Sequence, residues 1–402
     1  MNYNYQQLKN LCANISLPAM LVDLQSFDQN AERIFAYAKK SGLKLRPATK
    51  SVRVPELLKR IKQLGQDLVQ GYMCFSAQEA HFLHQQGLDD LLIAYPCTRN
   101  DEIEAAHSIV LSSGKVILMI DSIKHLNLLE DFLKQKDDGS RFNIAIDVDM
   151  AFRPLSGLIH FGVWRSPVRN LNNVTQLHQF IKKSPHLTFW GIMGYEAQVA
   201  GLQDKNPFCK ILNPFKHLIR MLSVKWVRKL RKSIADYLKE HETGEWHMNG
   251  GGTGSLDYTT HETWLTEFTA GSGFLQGHLF DYYSEKTGIP CLCFALAINR
   301  FPRPDMATLK SGGFIASGEI AQDKAPSAYL PSGMKVTSME GFGEVQTPVF
   351  LPVGEFKLGD PLFFRPSKPG EVGERFCSYH LIEHGKITKT VQTYRGHGKV
   401  FF

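Results

Sequence analysis

No run of this 402-residue chain reaches the ~18 uninterrupted apolar residues of a membrane-spanning helix. The opening Met1-Asn2-Tyr3-Asn4-Tyr5 has neither the basic start nor the apolar centre of a secretion signal. Both absences predict a protein that does not enter a bilayer. Cysteine is sparse: Cys12, Cys74, Cys97, Cys209, Cys291, Cys293 and Cys377 are seven, an odd number, and widely scattered. Most lie in apolar surroundings such as Tyr72-Met73-Cys74-Phe75, so reduced thiols in a cytoplasm fit better than a disulfide framework. Cys291-Leu292-Cys293 lacks zinc-finger spacing and reads as core packing. Internal repeats and low-complexity linkers are also missing, which excludes solenoids and disordered tethers.

Strong charge segregation is a further absence. The formal charge of +7 is spread along the chain, and its densest cluster is Lys225 with Arg228-Lys229-Leu230-Arg231-Lys232. That cluster reads as the solvated face of an amphipathic helix running on through Ile234 and Leu238. No aromatic-interleaved basic patch accompanies it, so no nucleic-acid partner is expected. With 43% hydrophobic and 21% charged residues, the chain can bury one barrel-sized domain and a smaller one.

What is present is alternation. Short β-rich runs at Leu43–Ala48, Leu68–Cys74, Leu91–Tyr95, Val116–Ile120, Phe142–Val148, Leu187–Gly194, Gly244–Met248 and Leu265–Thr269 alternate with helical periodicities such as Pro55–Leu64, Ala77–Gln86, Ile123–Leu133 and Val174–Ile181. Apolar strands joined by helical crossovers predict an α/β fold, a (β/α)₈ TIM-type barrel over residues 27–289. After Pro290 the texture changes to Gly/Pro-punctuated β runs at Leu292–Asn299, Gly312–Ile315, Gly333–Ser338, Leu362–Phe364, Cys377–Glu383 and Thr388–Thr393. These predict a β-rich domain over 290–402, which the run Ala19-Met20-Leu21-Val22-Asp23 within residues 1–26 would join from the N-terminus.

Two motifs carry chemistry. Leu43-Lys44-Leu45-Arg46-Pro47-Ala48-Thr49-Lys50 ends a strand on a lysine, and the C-terminal tips of barrel strands are where such folds keep reactive groups. A solvated strand-end lysine is the plain alternative. Met248-Asn249-Gly250-Gly251-Gly252-Thr253-Gly254-Ser255 follows another strand and precedes a helix-opening segment. Glycines let backbone N–H groups converge on one anion, and Thr253 and Ser255 add hydroxyls, although a flexible turn would use the same residues. The spacing is neither the dinucleotide G-x-G-x-x-G nor a P-loop, since no Gly-Lys-Ser/Thr follows. Lysine and anion loop together point to pyridoxal phosphate, an aldehyde at one end and a phosphate at the other.

With these motifs in this order the chain resembles the alanine-racemase-like (fold-type III) pyridoxal-phosphate enzymes, in the branch that includes D-threonine aldolase, D-serine dehydratase and proteins labelled amino acid deaminase/aldolase. The resemblance rests on Leu17-Pro18-Ala19-Met20-Leu21-Val22-Asp23-Leu24, Arg46-Pro47-Ala48-Thr49-Lys50-Ser51, Gly191-Ile192-Met193-Gly194-Tyr195-Glu196 and the glycine loop. It implies that Lys50 forms the Schiff base, that Gly250, Gly251, Gly252 and Thr253 hold the phosphate, and that Tyr195 and Gln198 sit near the ring. Ser272, just past the last expected barrel strand, joins the cofactor-binding candidates. The resemblance also implies a homodimer in which the β domain of one subunit closes over the barrel mouth of the other. Metal-dependent members carry Pro-x-His-x-Cys or Pro-x-His-x-Asp where this chain has Pro366-Ser367-Lys368-Pro369-Gly370-Glu371. Lysine and glycine are not zinc ligands, so no catalytic metal is expected there. Ala48 and Gln198 replace the family's two nearby histidines, which removes both imidazoles that would handle a proton.

Pyridoxal phosphate supplies an electron sink, and the protein selects the bond broken. Lys50, with a lowered pKa, is the base on its own face. For the opposite face the candidates are Glu344 and Gln346, in Ser338-Met339-Glu340-Gly341-Phe342-Gly343-Glu344-Val345-Gln346-Thr347-Pro348, reaching the site from a partner subunit; a solvated β turn is the alternative. Arg165 is a candidate for the substrate carboxylate and Arg153 for the cofactor, with Asp147 and Asp149 as structural partners of either. Lys368 and Glu371 are further substrate-binding candidates. The expected activity is a metal-independent lyase acting on a D- or β-hydroxy amino acid by aldol cleavage or dehydration/deamination. A racemase on the same fold and a non-catalytic pyridoxal-phosphate carrier are the alternatives.

Overall fold

The computed structural model describes residues 1–285, 287–319 and 321–401. Helix α1 (Tyr5–Leu11) and strand β1 (Ala19–Asp23) come first, followed by α2 (Leu24–Ser41). Then β2 (Lys44–Pro47), α3 (Pro55–Gly65), β3 (Tyr72–Cys74), α4 (Ala77–Gln85), β4 (Leu91–Ile93), α5 (Asn100–Leu111), β5 (Val116–Ile120), α6 (Ile123–Lys136), β6 (Phe142–Asp147), α7 (Leu171–Lys183) and β7 (Leu187–Met193) alternate around a barrel. The short α8 (Ala197–Ala200) and the long α9 (Asn213–His241) precede β8 (His247–Gly250), and α10 (Leu256–Thr259) precedes β9 (Glu267–Ala270). The eight strands β2 to β9 form one parallel sheet that runs β2-β9-β8-β7-β6-β5-β4-β3. Isolated bridges Leu45–Val69 and Ala48–Met73 close its last seam.

The local chemistry explains the alternation. Strands such as Val116-Ile117-Leu118-Met119-Ile120 are buried at every position, because alternate residues face the barrel interior and the helices. Ser76, Ser122 and Asn170 cap α4, α6 and α7 by accepting backbone N–H bonds at 3.2, 3.3 and 3.0 Å. Inside the barrel, Leu92, Ile117, Met119, Ala145, Trp190 and Met193 pack together. Beneath them Arg46, fully buried, pairs with Glu267 at 2.8 Å and Asp90 at 2.8 Å. A charge that deep persists only because both carboxylates and the Asp90 carbonyl, 2.7 Å away, satisfy its N–H groups.

The second layer is a mixed sheet of β10 (Leu292–Arg303), β11 (Met306–Lys310), β12 (Ser327–Leu330), β13 (Lys335–Val336), β14 (Gln346–Phe350), β15 (Pro361–Arg365), β16 (Ser378–Glu383) and β17 (Lys386–Gln392), joined by β1. β1 lies between β10, antiparallel from Ala19–Ala295 to Val22–Leu292, and β16, parallel from Met20–Tyr379 to Asp23–Ile382. The expected strand at Gly312–Ile315 is instead irregular, with Gly312 at a φ of +139° that most residues avoid. The strand beside β10 is β11, which the flanking Pro302 and Pro304 disguise as a loop. Among the described residues no helix is long and apolar enough to cross a membrane.

Candidate active site

Lys50 sits where β2 runs out. Ala48 still donates its N–H to the Ala270 carbonyl at 2.9 Å, then Thr49–Ser51 turns as one 3₁₀ loop over the barrel rim. Thr49 Oγ1 ties that turn to β3 by donating to the Met73 carbonyl at 2.9 Å. From the other side Arg53 Nε donates to the Lys50 carbonyl at 3.0 Å while its guanidinium pairs with Glu374 at 2.5 Å. The β domain packs so closely that a Cβ on Gly370 would stand 1.9 Å from the Lys50 carbonyl oxygen. The Lys50 backbone is therefore clamped between the two sheets, while its side chain stays accessible to water in the recess at the barrel mouth. Protein crowding strips hydration from the ammonium and lowers its pKa; Arg165, Lys368 and Arg53 lower it further against the opposing effect of Tyr95.

The glycine loop leaves β8 at Gly250 and enters the left-handed region at Gly251, φ +92°. Its first amides are already engaged: Gly251 N–H donates to Glu196 Oε2 at 3.1 Å and Gly252 N–H to Ser255 Oγ at 3.0 Å. Glu196 also accepts from Ser255 Oγ at 2.7 Å and Thr259 Oγ1 at 2.5 Å, and pairs with the fully buried Arg231, whose other edge meets Glu262 at 2.7 Å. Burial works to raise the Glu196 pKa, but Arg231 and these donors outweigh it and hold the carboxyl below its usual range. Past this anchor, the amides of Thr253, Gly254 and Ser272 make no hydrogen bond among the described residues. A Cβ at Gly254 would stand 2.2 Å from the Ala200 carbonyl oxygen, so the loop can follow this path only with glycine there.

The two motifs meet. Ser51 Oγ lies 3.2 Å from Ser272 Oγ, and Gly273 N–H donates to Thr253 Oγ1 at 3.0 Å. Residues about two hundred positions apart thus share one rim, with three unengaged amides beside the lysine turn. Tyr195 borders the same loop: a Cβ at Gly252 would come 3.1 Å from its ring. Burial, and then Glu196, raise the Tyr195 hydroxyl to about 12 against Arg165.

Arg165 is sandwiched between aromatic faces, 5.4 Å from the Tyr95 ring and 5.5 Å from Tyr195. Below it Asp147, at the end of β6, is pushed up to about 7 by burial, with Arg165 opposing and Asp121 and Asp149 reinforcing. Arg153 is paired with Asp149 at 2.5 Å and lies 5.6 Å from the centre of the Trp164 ring. Gln198 is buried and donates to the Met150 carbonyl at 2.7 Å. From the β domain, Lys368 donates to the Ser317 carbonyl at 2.7 Å and pairs with Glu371 at 3.5 Å, and Glu371 accepts from Ser317 N–H at 3.0 Å. Glu344 is exposed, and Gln346, also exposed, donates to Glu340 at 2.6 Å; among the described residues neither makes a hydrogen bond or ion pair to the Lys50 turn.

Several groups escaped sequence reasoning. Arg231, assigned above to a solvated face, lies on the buried stripe Val224, Val227, Arg231, Ile234 and Leu238, a spacing of three and four that the sequence already contained. Glu196 stood inside the quoted Tyr195-Glu196 motif but gave no sign of its partners. Tyr95 and Glu79 carried no motif. Glu79, fully buried on α4, accepts from Phe75 N–H at 2.7 Å and from the Tyr394 hydroxyl at 2.8 Å, which staples the β domain beneath the lysine turn.

The family model described as alanine racemase, N-terminal domain, matches residues 22–236. A D-threonine aldolase from Arthrobacter sp. is 24% identical over 337 residues, which cover 81% of this chain and 79% of that protein. A 3-hydroxy-D-aspartate aldolase from Paracoccus denitrificans is 20% identical over 328 residues, 82% of this chain and 74% of its own length. Among solved structures, D-threonine aldolase from Filomicrobium marinum superposes with a TM-score of 0.79 at 16% identity, covering 95% of this chain and 96% of that one.

Proposed function

The chain belongs to the alanine racemase N-terminal domain family, and from that premise we propose that it is a pyridoxal-phosphate-dependent lyase acting on D- or β-hydroxy amino acids without a catalytic metal. The observation that carries the reading is the junction of the two motifs, Ser51 against Ser272 at 3.2 Å and Gly273 on Thr253 at 3.0 Å. It sets an accessible amine beside three unengaged amides, a lysine for an aldehyde and N–H donors for a phosphate, so the residues present fit this cofactor. The named relatives, aldolases of D-threonine and 3-hydroxy-D-aspartate, support the class of reaction.

When bound, pyridoxal phosphate supplies the electron sink for the bond broken at the substrate Cα. In this assignment Lys50 provides the amine that carries it, and its lowered pKa favours the uncharged amine that acts as a base. Thr253, Gly254 and Ser272 give their amides to the phosphate, while Gly250, Gly251 and Gly252 keep the loop close to the barrel, fastened by Glu196. Tyr195 and Gln198 line the side of the ring, and Arg153, held by Asp149, borders the same mouth. Arg165 offers the edge of its guanidinium to the substrate carboxylate, since stacking occupies only its faces. Lys368 and Glu371 stand where the substrate side chain would lie, and Lys368 and Gly370, at the positions of the metal-dependent members' ligand pair, offer no ordinary zinc ligand, which supports metal independence. Glu344 and Gln346 complete the opposite face from the second subunit of a homodimer. A racemase would need a phenol there. Tyr394 and Tyr379 are fully buried, and burial raises the pKa of both hydroxyls.

Purified protein should absorb visible light, Lys50→Ala should lose that band, and threonine or serine of one configuration should release aldehyde or ammonia. A variant that keeps the band would reject the lysine assignment, and racemisation without release would reject the lyase.

A further inference from the structure

Cations at the barrel mouth fall into two sets. Arg53 is paired with Glu374 at 2.5 Å, Lys368 with Glu371 at 3.5 Å, and Arg153 and Arg169 share Asp149 at 2.5 and 3.6 Å. Arg165 differs: among the described residues no carboxylate comes within ion-pair distance of it, and its contacts are the two tyrosine faces. Asp147, the nearest acid in electrostatic terms, is buried below it without a direct pair. Among the described residues Lys50 also has no ion pair, but its amine is committed to the cofactor on the reading above, on which this inference rests.

A carboxylate leaving water needs an uncompensated cation or a convergent set of donors, and a cation already neutralised by its neighbour offers much less. An α-amino acid spends its first carboxylate on Arg165. A second, on the side chain, would meet Lys368, whose charge Glu371 opposes at 3.5 Å and one of whose N–H groups is given to the Ser317 carbonyl at 2.7 Å. Glu371 is itself fixed, taking the Ser317 N–H on both oxygens at 3.0 and 3.2 Å. The side chains assigned to the partner, Glu344 and Gln346, bring no positive charge either. We propose that the site selects a β-hydroxy α-amino acid with an uncharged side chain over the dicarboxylate, and that Glu371 is the specificity-determining residue because it sets a second negative charge against Lys368, where a side-chain carboxylate would have to bind.

The pair also has a role with an uncharged substrate: Lys368 Nζ is a donor able to meet the β-hydroxyl oxygen, and Glu371 is an acceptor beside it. Neither role demands a net charge, whereas binding a second carboxylate does.

The test uses the whole holoprotein with threonine and 3-hydroxyaspartate in each stereochemistry, measuring kcat/KM by product release. Wild type should favour threonine by about tenfold or more, or ~1.4 kcal/mol. Glu371→Gln should move the ratio toward hydroxyaspartate by about tenfold, and adding Lys368→Gln to it should abolish that gain. A merely structural role for Glu371 would lower both activities together. Wild type that prefers hydroxyaspartate, or a Glu371→Gln ratio that does not move, overturns the inference while leaving the lyase intact. Should the variant not fold, the wild-type ratio decides alone. A holoprotein that cleaves no amino acid would instead reject the reading beneath it.

Discussion

The lysine and glycine-loop half of the site and the loop 338–348 of the β domain are built on opposite principles. In the first, the scaffold is tied down and only the groups facing the recess are left open: Arg53, Thr49 and Gly370 fix the Lys50 backbone, and Glu196 takes four donors to fix the glycine loop. In the second, Met339 is 100% and Val345 75% exposed, and Glu344 has no hydrogen-bond partner among the described residues. A group that must place a cofactor is rigid before anything binds. The exposed apolar residues around Glu344 are what the proposed second subunit would cover.

The comparison is broken most severely at Lys50. Lys50→Ala should reduce turnover by ~10⁴-fold while leaving urea unfolding nearly unchanged, because only the side chain, not the clamped backbone, does chemistry. Next comes the anchor: Glu196→Ala leaves the buried Arg231 with Glu262 alone of its two carboxylates and should cost ~3 kcal/mol in unfolding free energy, with weaker retention of pyridoxal phosphate than of pyridoxal. Equal loss for both cofactors would make Glu196 a structural residue only.

A smaller effect lies under the lysine turn. Burial raises Glu79 from 4.5 to about 7, against hydrogen bonds from Thr49, Phe75 and Tyr394 and the charge of Arg53. The folded carboxyl keeps its proton in a range where the unfolded chain has lost it, so its contribution is fully present at low pH and is lost as pH rises from 4.5 to about 7. Relative to Glu79→Gln, wild type should lose up to ~3 kcal/mol across that window. Asp147 titrates in the same direction in both proteins, so the difference isolates Glu79. The mildest change, Glu344→Gln, should slow turnover by about 10²-fold. Mixed and reassorted with Lys50→Ala, it should recover roughly a quarter of wild-type activity, since half the dimers would carry one intact site. No recovery would make the site self-contained.

Much of the fold was legible because periodicity reports burial directly: β5 is apolar throughout, β6 is apolar but for Asn143 and its terminal Asp147, and Gly250 to Thr253 announce a special turn. The β domain was harder, since Met306–Lys310 and Gln346–Phe350 pair through tertiary register while prolines and glycines beside them imitate loops. At the site, Lys50, Tyr195 and Arg165 carried recognisable contexts. What stayed hidden were relations between distant residues. Glu196, Arg231 and Glu262 form one network across 66 positions, and Arg231 was masked by its basic neighbours although its helical phase pointed inward. Tyr95 matters only because Arg165 stacks on it, which no local pattern encodes.

The most direct measurement is to reduce the freshly purified protein with borohydride, digest it and locate the cofactor mass by peptide mapping. The account predicts one modified peptide, carrying pyridoxyl phosphate on Lys50. Attachment to Lys368 or any other lysine, or a reduced protein with no adduct, would contradict it.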